Sequence, residues 1–188
     1  MSKLEVNAID SVGTTLTLGD NNATTLALNS SITTLPSTLT NTPAFRAKAS
    51  SDQTVNDNVI TKANFATEIY DTDSAYDTST SRFTVPTGKG GKYVISVTSS
   101  MQEFSSLNHG GSLIFVNGTG VQHQFVNWSS SYGDELSTTC SATLELSAGD
   151  YVEGYVQFNT GDGSNTQVKA VDAAGYILTV FEGFKLVE

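Results

Sequence analysis

The stretch KYVISVTSSM, from Lys92 to Met101, decides the fold class. Tyr93, Ile95, Val97 and Met101 fall on one side of an extended chain, and Val94, Ser96, Thr98 and Ser100 on the other. Side chains alternate faces in a strand, so this spacing predicts a β-strand with one apolar face. The same alternation recurs outward from it. Ser112–Asn117 ends at Asn117-Gly118, a hairpin signal because both residues tolerate positive φ. Ala142–Leu146 alternates and breaks at Ala148-Gly149-Asp150. Tyr151–Phe158 follows with Val152, Gly154, Val156 and Phe158 on one face, and Tyr176–Val187 reads as a long closing strand. No segment sustains a 3.6-residue apolar period, so the chain is all-β, with strands set between Gly, Asn, Asp and Ser clusters as in a sandwich or barrel.

Composition divides the chain in two. Its nine Phe, seven Tyr and single Trp all fall at or after Phe45, so a core begins near Pro43, giving a domain over 43–188 and a different segment over 1–42. That first segment repeats itself, with Thr14-Thr15-Leu16, Thr24-Thr25-Leu26 and Thr33-Thr34-Leu35 separated by turn formers. The pattern reads as short strands alternating with turns. Its few leucines cannot fold alone, since ordering each residue costs about 1 to 2 kcal/mol of backbone entropy. They need sister chains, which predicts an intertwined stem; a Ser/Thr-rich linker is the competing reading.

Charge narrows the partners. Nine Lys and Arg against nineteen Asp and Glu give a net charge of −10, and no Lys or Arg lies between Lys92 and Lys169. Phosphate backbones are bound by clustered cations, so neither nucleic acid nor an anionic membrane is an expected partner. Met1–Asn7 has no apolar h-region and no run approaches a membrane span, which predicts synthesis in a cytosol without a conventional signal peptide. Cys140 is the single cysteine, so no disulfide forms within one chain.

Chemistry is sparse. His109 and His123 are the two histidines, and neither lies in a nucleophile-elbow context; no phosphate-binding loop, dinucleotide fingerprint or metal-ligand His spacing is present. No catalytic residue is assigned, and the chain reads as a non-enzyme. Two segments carry candidate sites. Asp71, Asp73 and Asp77 place three carboxylates within seven residues, which offers a start for a calcium site; the same residues also suit a solvated turn. Val121–Glu135 holds the single Trp, and Trp128, Tyr132, His123 and Asp134 combine rigid apolar area with hydrogen-bonding groups suited to a sugar or protein ligand. Packing of Trp128 in the core or at a subunit contact is the alternative.

Four motifs, in order, resemble the C1q/TNF-like jelly-roll family: Pro43-Ala-Phe-Arg-Ala47; Phe83-Thr-Val-Pro86 with Gly91-Lys-Tyr-Val94; Leu146-Ser-Ala-Gly-Asp-Tyr-Val152; and Phe181-Glu-Gly-Phe-Lys-Leu186. The resemblance spans Pro43 to Glu188. It implies a ten-stranded two-sheet jelly-roll sandwich that assembles as a homotrimer, which suits a stem whose chains lend leucines to one another. Some heads of the family hold calcium. The stem lacks the Gly-X-Y period of collagen-bearing members, and a Thr/Leu/Asn-rich stem before such a head looks like a bacteriophage fibre protein. The expectation is a virion protein, made in the host cytoplasm. Residues 1–42 would anchor the trimer to other virion proteins and the knob at 43–188 would contact a host surface receptor, protein or polysaccharide. A capsid decoration or cement protein is the alternative.

Overall fold

The computed structural model describes residues 41–102, 107–127 and 135–187. Apart from Asn41 and Thr42, the expected stem lies outside the described residues. KYVISVTSSM sits inside one of the two twelve-residue strands of the first of two antiparallel sheets. In chain order the strands are β1 (Ala44–Lys48), β2 (Gln53–Val55), β3 (Thr61–Lys62), β4 (Thr67–Asp71), β5 (Tyr76–Asp77), β6 (Arg82–Thr84), β7 (Gly91–Gln102), β8 (His109–Val116), β9 (Thr119–Asn127), β10 (Glu135–Leu146), β11 (Tyr151–Asn159), β12 (Thr166–Val168) and β13 (Val180–Lys185). The number exceeds ten because several short segments of two or three residues form strands of their own.

In the first sheet β10 pairs with one edge of β7 along its whole length, Gly91↔Leu146 to Gln102↔Glu135. The other edge of β7 is shared by β13 over Tyr93–Thr98 and β12 at Met101–Gln102. From there the sheet continues through β1 to β4 on one branch and to β2 on the other. The second sheet runs β5-β6-β11-β8-β9, with β3 also on β11. Here too one edge is divided: β6 pairs with Tyr151–Glu153 and β3 with Tyr155–Val156. Asn117 and Gly118 turn the β8–β9 hairpin at φ 50° and 78°, the conformation their side chains allow.

The alternation explains the core. Tyr93, Ile95, Val97 and Met101 of β7, Val152, Val156 and Phe158 of β11, and Phe45 and Phe181 are fully buried between the sheets. Phe45 stacks on Phe83 at 4.6 Å and meets Phe181 edge-on at 4.9 Å. In Phe181-Glu-Gly-Phe184 the glycine is demanded by space, since a Cβ on Gly183 would stand 2.6 Å from Ile95 Cδ1 and 3.0 Å from the Val94 carbonyl. Cys140 is buried, which pushes its thiol up from the ordinary range. Burying these aromatic and aliphatic side chains, at about 1.5 to 3 kcal/mol each, dominates stability. The closing strand is shorter than expected: Val171 pairs with Ile177 in an isolated bridge, because Asp172 accepts from the Ala174 and Tyr176 amides and folds 172–175 into a turn before β13 begins.

Connectivity gives the head two poles. At one, the Pro43 carbonyl accepts from the Lys185 amide, beside the turns at 86–90, 117–118 and 147–150. At the other lie the ends of β7, β9 and β11 and the starts of β8 and β10. The chain thus enters and leaves the head at the same pole.

Candidate functional site

On β11 the residues between the core positions face outward, and they carry the most concentrated polar chemistry among the described residues. Glu153 is 3% exposed, yet it belongs to the outer face of the second sheet. Burying a carboxylate requires partners. Lys62 Nζ donates to Glu153 Oε1 at 2.6 Å, Arg82 Nε donates to the same oxygen at 2.9 Å, and the Tyr155 hydroxyl donates to Oε2 at 3.2 Å. Each partner has its own support. Arg82 lies over the Tyr151 ring at 3.8 Å, a cation–π contact, and Tyr155 stacks on Phe115 at 4.1 Å. Burial alone would raise the Glu153 carboxyl; the bonds from Lys62 and Arg82 outweigh it and hold the group below the usual glutamate range.

The divided edge of β11 explains how Lys62 and Arg82 meet. β6 brings Arg82 opposite Glu153, β3 brings Lys62 opposite Tyr155, and the Ala63 amide donates to the Gly154 carbonyl where the two short strands meet end to end. Gly154 lies beneath this junction, where a Cβ would crowd Phe65 at 2.8 Å and Val97 at 3.0 Å. Beside it opens a cleft of about 320 Å³ between residues 62–64 and 79–82.

His123 falls on β9, exposed, its ring 5.0 Å from that of Phe125, and the His109 ring lies 5.8 Å from the same Phe125 ring. His109 is the first residue of β8. Trp128, Tyr132 and Asp134 lie outside the described residues. Their flanking positions, Asn127 and Glu135, stand at the pole opposite Pro43.

The acidic trio lies near the Pro43 pole. Asp71 accepts from the Asp73 amide at 3.2 Å and the Tyr76 amide at 2.7 Å; Asp73 accepts from Thr72 and stands 3.3 Å from Lys89 Nζ. Asp77 accepts from the Ser79 and Thr80 hydroxyls and the Ser79 amide, which hold its carboxyl down to about 2. The three carboxylates therefore bind their own turns. Among the described residues no three His, Cys, Asp or Glu side chains converge as a metal site.

Sequence reasoning passed over Lys62, Arg82, Tyr151, Glu153 and Tyr155. The signal available was the outward half of β11, since alternation that places Val152, Gly154 and Val156 inward must place Tyr151, Glu153 and Tyr155 outward.

No protein-family model and no curated protein matches the chain. Solved structures do. The globular domain of zebrafish complement 1qA protein is 18% identical with a TM-score of 0.52, the match covering 77% of this chain and 97% of that one. Eiger TNF from S. frugiperda is 14% identical with a TM-score of 0.51, covering 77% and 91%. Murine APRIL is 11% identical with a TM-score of 0.54, covering 76% and 98%. With two antiparallel sheets and these neighbours, the head has the C1q/TNF-like jelly-roll fold.

Proposed function

We propose that the chain is the subunit of a trimeric bacteriophage fibre or spike whose jelly-roll knob contacts the host surface, with residues 1–42 as the stem that joins it to other virion proteins. The observation that supports this reading is the polarity of the head: its first and last strands begin and end at one pole, which leaves the opposite pole and the outer face of the second sheet for a receptor. Self-association is supported by the side formed by β9 and β10, edge strands of nine and twelve residues. Long open edges invite pairing with another chain. The outward residues of β10 between Ser137 and Thr143 are short and uncharged, as a close subunit contact requires. Nearby, Tyr70, Val94 and Phe184 line a shallow groove of about 370 Å³ on the outer face of the first sheet.

Three equivalent heads raise avidity without new contacts, which suits reversible attachment. Two measurements test the reading together: adsorption of the labelled full-length chain to susceptible cells, and imaging of the virion with density assigned to this chain. Saturable adsorption and a position on a tail fibre or spike are expected. A position on the capsid lattice with no adsorption would replace it with the decoration protein.

A further inference from the structure

Resting on the attachment reading, we infer that the cleft between residues 62–64 and 79–82 binds a neutral, hydroxyl-rich saccharide. At about 320 Å³ it has the volume of a small ligand pocket, and its polar lining comes from Lys62, Asn64, Ser79, Thr80, Ser81 and Arg82.

The hydrogen-bonding groups are fixed before any ligand arrives. Lys62 and Arg82 are held by the buried Glu153, but an ammonium has three N–H donors and a guanidinium five, and only part of each set is used there. Both side chains remain about one third exposed, at 31% and 38%. On the facing wall the Ser79 and Thr80 hydroxyls donate to Asp77, which leaves their oxygens as acceptors. The Ser81 hydroxyl accepts from the Phe65 amide at 2.9 Å and donates to Asn64 Oδ1 at 3.3 Å, turning the Asn64 amide nitrogen away from it as a further donor. Ser81 itself stands at φ 48°, and these two bonds hold that left-handed backbone and with it the wall.

Charge selects the ligand class. Lys62 and Arg82 are matched by Glu153 and by Asp77, which lies opposite Arg82 in the β5–β6 pair, so the cleft has no net positive charge. The chain around it is at −10. A phosphate or a uronate would gain little, and an apolar ligand would strip water from donors without replacing it. Hydroxyl groups both donate and accept and carry no charge, so they satisfy both walls. Preorganised donors lose little freedom on binding, which is the condition for useful affinity from few contacts.

The test titrates the full-length chain with neutral polysaccharides (dextran, mannan and galactan) and with acidic polygalacturonate, at 50 mM and 500 mM NaCl. At least one neutral polymer is expected to bind with an affinity that changes less than twofold with salt. Asn64→Ala and, separately, Thr80→Val each weaken it at least tenfold while both variants keep the parent's mass and a cooperative melting transition. Binding confined to polygalacturonate and lost in high salt would overturn the inference, as would affinity unchanged in both variants. Failure to bind any of these polymers by a chain that still adsorbs to host cells removes the cleft and leaves the attachment reading standing. Failure of both removes the two together.

Discussion

The outer faces of the two sheets solve the same problem, how to dress a β-surface toward water, in different ways. The first sheet uses short hydroxyl side chains, Ser96 with Ser141 at 2.9 Å and Thr98 with Thr139 at 2.9 Å, together with the surface ion pair of Arg46 and Glu182 at 3.1 Å. The second sinks a carboxylate to 3% exposure and surrounds it with two cations and a phenol. The difference is one of cost. An exposed pair costs little to form and contributes little, whereas a buried one is stable only while every partner is present. The hydroxyl stretch of β7 and β10 can meet another protein surface without desolvating charge, while the second face fixes polar groups in place, as a ligand site requires.

The sharpest way to break this contrast is to remove one carboxylate from each face. Glu153→Ala removes the acceptor of three hydrogen bonds and leaves Lys62 and Arg82 part-exposed to water, and is expected to cost about 1.5 to 3 kcal/mol, read as a shift in the urea midpoint. Glu182→Ala removes the exposed pair and is expected to cost less than about 1 kcal/mol. Equal effects would mean that the two faces are not different in kind.

Acid sharpens the same comparison more gently. Glu153 is held below its ordinary value of 4.5, so its contribution is complete above that pH and is lost as pH falls through the lower folded value. The melting temperature should stay level from pH 8 to 5 and fall below 4.5. Glu153→Gln, already destabilised, should lose less of its remaining stability over that fall; a variant with the same acid slope as the parent would assign the slope to other carboxylates. The smallest effect concerns the acidic turns. With Asp71, Asp73 and Asp77 accepting bonds from their own loops, EDTA should leave the melting curve unchanged. A lowered midpoint that Asp73→Ala abolishes would return these residues to the role of calcium ligands.

How much of this was legible in the sequence depended on whether the information was local. The inward face of β7 is set by side-chain alternation and can be read from neighbouring residues, whereas the glycine of Phe181-Glu-Gly-Phe184 was legible through the resemblance alone, because the contact that demands it comes from Ile95 on another strand. The Glu153 cluster could be read only by half. Its residues on β11 follow from the two-residue period, but Lys62 and Arg82 arrive from strands of two and three residues, 91 and 71 positions away. Such short segments show no period, and their meeting is fixed by how β3 and β6 divide one edge of β11. The spacing of Asp71, Asp73 and Asp77 announced a cluster of carboxylates but not their direction, because the turn amides they accept from are set by backbone geometry.

In the arrangement we propose, three such heads form one attachment unit, with β10 and the hydroxyl stretch turned toward sister chains and the Glu153 face left to the ligand. Light scattering after size exclusion of the full-length chain at micromolar concentration tests it most directly. Three times the chain mass of 19.9 kDa is expected, unchanged on tenfold dilution; a mass of 19.9 kDa would rule the trimer out.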